Sequence, residues 1–506
     1  MEKRLILAIA LSILVLLVWS ALVPKPQPVI NKEVTTKEVA TITPPSEPIS
    51  APAITKEEPS PGSLFNYSQD KFELTFNESL AAVKEVKFRM HQDYVLPLKY
   101  GFMLQDPSAS FRKESASADA VTFVHQDQNK RIIKRFIFSK SNYDIWLEIS
   151  FQNLSSNPIK INPSLILGAL DFSHKNIQAR YQDVTIATKE KSQHLSARKS
   201  QEFPEAKFVG LRDRYFCAIL EPGQDQYSGF VKKLNPEESE IGLSAREIVL
   251  APGDQIGHKF HLYLGPQDVK ILNAIKPDWS MIINFGVFDF ISQILLQLLE
   301  FLYRLVHNWG LAIVILSFLV YFILFPLSLK QMRSMKEMQA LQPHIEELRK
   351  TYKDNPQKLN KEIMELYRQH KVNPLGGCLP LLLQMPIFLA LYQALMRSVA
   401  LKGARFLWIK DLSEPDRLFI LPKTLPILGN EINILPIVMA IGMFVQQKIS
   451  MPAAASQQAE QQKMMLVMMP LLFGLIFYHM PSGLVLYWFI NSTLMLIYQV
   501  RMSRAK

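Results

Sequence analysis

Cysteine is almost absent, with two residues, Cys217 and Cys378, in a chain of 506. A disulfide-stapled fold is therefore excluded, and the two lie far apart in segments read below as different compartments, so no bond between them is expected. Glycine is scarce at 19 residues, which rules out a collagenous chain, and an apolar share of 48% against 20% charged rules out disorder. The usual marks of bond-making chemistry are missing as well. There is no HExxH, no GxSxG and no Walker loop.

The apolar residues that are present gather into runs of membrane-spanning length, while mean hydropathy stays near zero at +0.07. That average is what a large soluble domain joined to a membrane domain gives. The net charge of +11 is uneven: residues 276–506 carry 23 Lys+Arg and 14 Asp+Glu, whereas residues 1–275 carry 33 and 31. The basic stretches border apolar spans and lack interleaved stacking aromatics. They fit cytoplasmic loops of a membrane protein better than a nucleic-acid surface, and no specific nucleic-acid sequence is expected as a partner.

Lys3 and Arg4 precede nineteen uncharged residues, Leu5 to Val23, with no small-x-small cleavage site after them. Residues 1–23 read as a retained anchor with the N-terminus in the cytoplasm, and 24–62, with nine prolines, as a semi-extended linker. Residues 63–276 show short alternating runs separated by turn signals such as Asn157-Pro158 and Pro252-Gly253-Asp254, the pattern of an all-β sandwich. In the 277–309 segment Asp289, Gln293, Gln297, Glu300 and Arg304 form one polar stripe, which predicts an amphipathic interfacial helix, with an extra spanning helix as the alternative.

Five further spans are expected over about 311–328, 375–396, 432–447, 464–479 and 483–500, making six with the anchor. The 37 residues from Met464 to Val500 are too long for one crossing, and Met480-Pro481-Ser482-Gly483 supplies the turn. Between the first two of these spans, 330–371 holds ten Lys/Arg and six Asp/Glu with apolar seams at Ile345, Leu348, Tyr352 and at Leu359, Ile363, Leu366. A cytoplasmic helical hairpin is predicted. The fold class is thus a polytopic α-helical membrane domain plus an all-β domain on the other side of an inner membrane, with both termini cytoplasmic.

Two spans of about sixteen residues reach about 24 Å against a hydrocarbon thickness of about 30 Å, which implies a thinned bilayer or tilted neighbours. Ser317 and Tyr321 share a helix face at i, i+4, as do Tyr487, Asn491 and Tyr498, and Gln384 stands in another span. Such groups line a wet groove or make ordinary interhelical hydrogen bonds. Pro326, Pro380, Pro386 and Pro470 free helix carbonyls in the same region. Met332, Met335 and Met338, with Met464, Met465, Met468 and Met469, cluster at cytoplasmic span ends. Flexible thioethers suit a surface that receives varied apolar segments, although core filling is their commoner use.

The run Lys371-Val-Asn-Pro-Leu-Gly-Gly-Cys378-Leu-Pro380-Leu-Leu-Leu-Gln384-Met-Pro386-Ile-Phe-Leu-Ala-Leu-Tyr392 resembles the third transmembrane helix of the YidC membrane protein insertases, relatives of the mitochondrial Oxa and chloroplast Alb insertases. Asn308-Trp309-Gly310, Leu341-Gln342-Pro343, Leu407-Trp408-Ile409 with Asp411-Leu412-Ser413, and Pro481 to Tyr487 are similar too, so the resemblance covers about residues 277–500. It implies a core of five spans over 310–506 and a periplasmic supersandwich like that of Gram-negative members. It also implies insertion and folding of nascent inner-membrane proteins, alone or with the Sec translocon, with no nucleotide, cofactor or metal of its own. Substrate would enter a hydrophilic groove, with Gln384 matching a groove glutamine, Ser317 a small hydroxyl position, and Tyr487 with Trp488 a substrate-contacting pair.

One position departs from the pattern. The family carries a cation, usually arginine, in the second span, where this chain has Tyr321. A phenol donates a hydrogen bond but offers no monopole to an acidic substrate tail. Lys330 lies about 13 Å away along the axis and Arg397 at another span end, so hydrophobic partitioning and hydrogen bonding are expected to drive insertion. The competing reading is a small-solute transporter or channel, which predicts internal repeats that the sequence does not show. An intramembrane hydrolase would need a nucleophile and base, and His479 stands alone beside a turn. Ribosome contact by the basic hairpin competes with a simple orienting charge run, and lipids are the remaining partner.

Overall fold

The computed structural model describes residues 63–89, 94–140, 142–173, 181–189, 191–223, 227–353, 355–370, 372, 379–425, 429–450 and 456–504. The expected anchor 1–23, the linker 24–62, Cys378 and the start of the 375–396 span lie outside the described residues, as do the side chains of Pro380, Met332, Met335, Met464 and Met465. The chain divides into two compact units. Arg333–Gly377 belong to one, and Ser60–Met332 with Cys378–Lys506 to the other.

In the larger unit, period-two alternation builds the sheets. Lys130–Phe138 and Asp144–Asn153 pair antiparallel with Phe136 opposite Leu147, and each turns every second side chain inward. They belong to a nine-stranded sheet whose central members also include Phe216–Pro222 and Gln255–Pro266. A five-stranded sheet centred on Glu238–Ser244 and Leu165–Asp171, and a four-stranded meander from Leu64 to Gly101, share one apolar core with it. The all-β domain expected from the sequence is present as this sandwich.

One inward position is unusual. Lys134 is wholly buried, and its ammonium donates to the carbonyls of Ala81, at 2.6 Å, and Phe102. Both acceptor residues have left-handed backbones, with φ of 44° and 61°. Burial pushes the Lys134 pKa down to about 7.

After the last strand comes α1 (Val269–Ile275), capped by the Asp268 side chain. The helix expected over 277–309 is shorter than that. Pro277–Ile282 and Gly286–Phe288 are short 3-10 segments, the first burying Trp279 and Ile282 in the β core, and α2 runs only over Asp289–Val306. Pro277 and Gly286, with φ of 82°, keep the earlier residues out of it. The α2 helix has three faces: Ser292, Leu295, Leu299 and Leu302 are buried, Phe290, Ile294, Phe301 and Leu305 are exposed, and the polar stripe lies beside the exposed apolar one.

The helical region follows as α3 (Trp309–Ala340), α4 (Gln342–Thr351), α5 (Pro356–Gln369), α6 (Leu379–Arg397), α7 (Ile434–Ser450), α8 (Ser456–Tyr478) and α9 (Ser482–Arg504). Among the described residues, Gly286–Val306, Trp309–Lys330 and Ser482–Arg501 are long and apolar enough to cross a bilayer. Ile434–Ile449 and Leu466–Tyr478 are shorter apolar helices. In the smaller unit, α4 and α5 are separated at Asn355, whose side chain accepts from Lys358 N at 3.0 Å to start α5. Leu341, Ile345 and Val372 form its core, with Met338, Ile363, Leu366 and Tyr367 against them.

Candidate functional site

The bundle of the larger unit is apolar around Leu316, Leu391, Leu395, Val485 and Tyr487, so polar side chains inside it must find partners there. The Gln384 amide of α6 donates to Tyr487 Oη of α9 at 2.5 Å. Asn491, one turn further along α9, donates to Tyr487 O at 2.8 Å. On α3, Ser317 Oγ donates to Ile313 O at 2.7 Å, and Tyr321 Oη reaches Leu494 O only at 3.5 Å. Tyr321 also packs on Phe325, which meets the Tyr498 ring edge-on.

These contacts sort the sequence candidates. Gln384 and Tyr487 join α6 to α9, while Asn491 is satisfied by the backbone of its own helix one turn away. Ser317 and Tyr487 are fully buried, while Tyr321, Gln384, Trp488 and Asn491 are half-buried. Trp488 sits in an aromatic group with Phe388, Phe473 and Phe477, at centroid distances of 5.2, 5.9 and 5.3 Å. Met468 is exposed on α8, whereas Met338 packs into the core of the smaller unit. Arg397 lies 3.8 Å from Asp183 of the β domain.

Sequence reasoning missed a second polar cluster, where the β domain meets the helix ends. Arg214 stands in the turn between Ala206–Arg212 and Phe216–Pro222. Its guanidinium donates to Glu414 Oε1 and Ser413 O, both at 2.6 Å, and to Met396 O at the end of α6 at 3.0 Å. Tyr215 Oη donates to Ser413 Oγ at 3.0 Å. Beneath them Asp213 is buried and accepts from Tyr94 Oη and from the backbone N–H of Tyr215 and Phe216. Burial raises the Asp213 pKa despite these bonds.

The loop these residues grip also holds α9, because Ser482 N donates to Glu414 O at 2.8 Å and Gly483 N to Leu412 O at 2.9 Å. It holds α7 through Asp416, which accepts from Ile434 N and Leu435 N at 2.9 and 2.8 Å. It packs on α3 at Gly310, where a Cβ would lie 2.0 Å from Phe406 Cγ. Three of the motif blocks, around Gly310, Trp408 to Ser413, and Ser482 to Tyr487, therefore meet at this one junction. No local signal marks Arg214 for it, since its partners are about two hundred positions away in sequence.

Two families of known proteins match this chain, one over the helices and one over the β domain. The 60Kd inner membrane protein family matches residues 301–506, and the YidC periplasmic domain family matches residues 70–298. A protein of Geobacter metallireducens named membrane protein insertase YidC is 31% identical, the alignment covering 100% of this chain and 99% of that protein. The chain belongs to the YidC membrane protein insertase family. A Pelobacter propionicus YidC insertase is 32% identical over 100% of this chain and 99% of its own length. A crystal structure of an active YidC insertase with the first transmembrane domain resolved is 20% identical, with a TM-score of 0.41, covering 86% of this chain and 92% of that one. Membership makes the sandwich the periplasmic domain of an inner-membrane protein, so the Arg214 junction lies at the periplasmic end of the YidC helices.

Proposed function

We propose that this chain is a membrane protein insertase and chaperone whose work is mechanical: it lowers the cost of moving polar chain across the bilayer. The observation that carries this reading is the polar seam of the Gln384–Tyr487 side-chain bond between α6 and α9, with Asn491 one turn along, in an otherwise apolar bundle. Extended with Ser317, Tyr321 and Trp488, it forms a hydrophilic groove open to cytoplasm and lipid. A nascent segment displaces the Gln384–Tyr487 bond and takes over its donor and acceptor, so a polar residue in transit keeps its partners.

The seam offers hydrogen bonds and aromatic faces with Tyr321 where an arginine is usual. Hydrophobic partitioning then supplies the driving force, and acidity in the substrate tail gives little advantage. The short apolar helices Ile434–Ile449 and Leu466–Tyr478 favour a thinner bilayer beside the groove. The basic hairpin, with Met332, Met335, Met338, Met464, Met465 and Met468, receives substrate on the cytoplasmic side. Nascent membrane proteins are the substrates, and the Sec translocon and the ribosome the partners, with both termini cytoplasmic.

Reconstitution of the purified chain alone into liposomes tests this, with a photocrosslinker at position 321 and a short single-span substrate synthesised outside. Protease protection together with crosslinks is the expected result. Neither signal, from folded protein, overturns autonomous insertion and leaves a chaperone that depends on the translocon. Tyr321→Phe should retain insertion within about fivefold, the weight of one net hydrogen bond of about 1 kcal/mol. Loss of insertion on changing Lys330, with Tyr321→Phe silent, would instead place the driving force in charge.

A further inference from the structure

Two features of the loop between α6 and α7 have no compensation among the described residues. Phe406 and Ile409 bond to each other through N–H and carbonyl at 3.0 and 2.8 Å, which closes a two-residue hairpin with Leu407 and Trp408 at its tip. Leu407 takes φ of 51°, a left-handed backbone that favours glycine or asparagine, and points its side chain outward at 75% exposure. Arg405 and Lys410 follow as the next pair on the two arms. They are like charges directly opposite one another, both exposed, and neither has an ion pair or side-chain hydrogen bond among the described residues. A strained leucine held out to water and an unscreened cation pair are each unfavourable in isolation.

The place of the hairpin says what relieves both. Phe406 packs on Gly310 at the first turn of α3, and the same loop binds Gly483 at the first turn of α9, so the tip stands level with the ends of two membrane-spanning helices. Trp408 is 40% exposed, with its indole Nε1 tied to Asp416 at 3.2 Å, which fixes the ring at that level. An exposed apolar pair at helix-end depth, flanked by free cations, matches the boundary between acyl chains and phosphates in charge and in polarity.

We propose that the Arg405–Lys410 hairpin is a wedge into the outer leaflet, with Leu407 and Trp408 among the upper acyl groups and an anionic phospholipid headgroup held between Arg405 and Lys410. The inference uses only the membrane placement of α3 and α9 and is independent of insertion activity. Its role is to hold the gripped loop, and with it the ends of α3, α7 and α9, at a fixed depth.

The test uses the full chain in nanodiscs of phosphatidylcholine, with and without phosphatidylglycerol. Leu407→Cys is spin-labelled in a Cys378→Ser background, where the other cysteine, Cys217, is buried. Val249→Cys, on the exposed surface of the β domain, is the aqueous reference. The expected result is a label at 407 several-fold more accessible to oxygen than to an aqueous nickel chelate relative to 249, and deeper with phosphatidylglycerol. Arg405→Gln with Lys410→Gln should cut retention of phosphatidylglycerol over phosphatidylcholine, read by native mass spectrometry, about tenfold or more for two lost cation–headgroup contacts. Equal chelate access at 407 and 249, or unchanged lipid preference in the glutamine variant at an unchanged melting temperature, overturns the proposal. So does competition by inorganic phosphate in detergent as effective as the lipid, which would make the pair a general anion site.

Discussion

Replacing Arg214 by alanine probes the link between the β domain and the helices most directly. The guanidinium, 13% exposed, makes three charge-assisted hydrogen bonds, to Glu414, Ser413 O and Met396 O. The two carbonyl bonds contribute about 1.5 kcal/mol each at the low end of the range for charged donors. Glu414 is 30% exposed and lies 3.6 Å from Arg417 as well, so its share is that of a screened surface pair, about 0.5 kcal/mol. The junction should therefore loosen by about 3.5 kcal/mol, which raises local opening about three-hundredfold. Amide hydrogen exchange on the full chain in nanodiscs reads this at Ser482 and Gly483, whose N–H groups bond the gripped loop. Amides of the Lys130–Phe138 strand are the internal control and should not change. Arg214→Lys should fall between, because it keeps the charge and loses the planar fork. Exchange at Ser482 and Gly483 within threefold of wild type in Arg214→Ala would refute the reasoning, and would assign the junction to the packing of Ile409 and Leu412 alone.

Three further outcomes are expected. Gln384→Leu leaves the buried Tyr487 hydroxyl without its partner and should cost about 1–3 kcal/mol in thermal or denaturant unfolding. Adding Tyr487→Phe should recover most of that stability while insertion in liposomes stays impaired, which separates the polar function from the packing. The folded-state pKa of Lys134, about 7, lies below its unfolded value, so the unfolded chain binds more protons between the two and β-domain stability should rise with pH from about 7 toward 10. A melting series over that range should flatten in Lys134→Met. Gly310→Ala meets Phe406 and should destabilise by about 1–3 kcal/mol, whereas Gly442→Ala in α7, with nothing within 4 Å of the new Cβ, should be neutral or slightly stabilising.

The parts of this molecule legible in its sequence are those written in local pattern. Alternation between turn signals such as Pro252-Gly253-Asp254 marked the β domain, and the seams at Ile345 and at Ile363 marked the α4–α5 pair. The motif blocks gave the family, but their shared purpose was hidden: Gly310, Leu412 and Gly483 look like separate local features and are one contact in space. Gln384 and Tyr487 could be named singly, and their bond could not, because it joins helices 103 positions apart. The reach of α2 was overestimated because hydrophobic content continues through Trp279 and Ile282 while the helical backbone does not; their burial belongs to the β core. Arg214 carried no signal at all, since an arginine in a strand turn is ordinarily a solvated one.

Among the described residues, strong polar ties cluster where the loop from Trp408 to Asp416 meets α6, α7 and α9, while at the other end of the bundle α3 reaches α9 through a 3.5 Å contact and ring packing. Through Arg214, Asp416 and the N–H groups of Ser482 and Gly483, one loop tethers the ends of α6, α7 and α9, which makes it a shared pivot. A swing of about 10° at that pivot moves the free tip of a helix about 30 Å long by about 5 Å, the width of an extended chain. Under the proposed function, a displacement of that size is what an extended segment needs to pass between two helices.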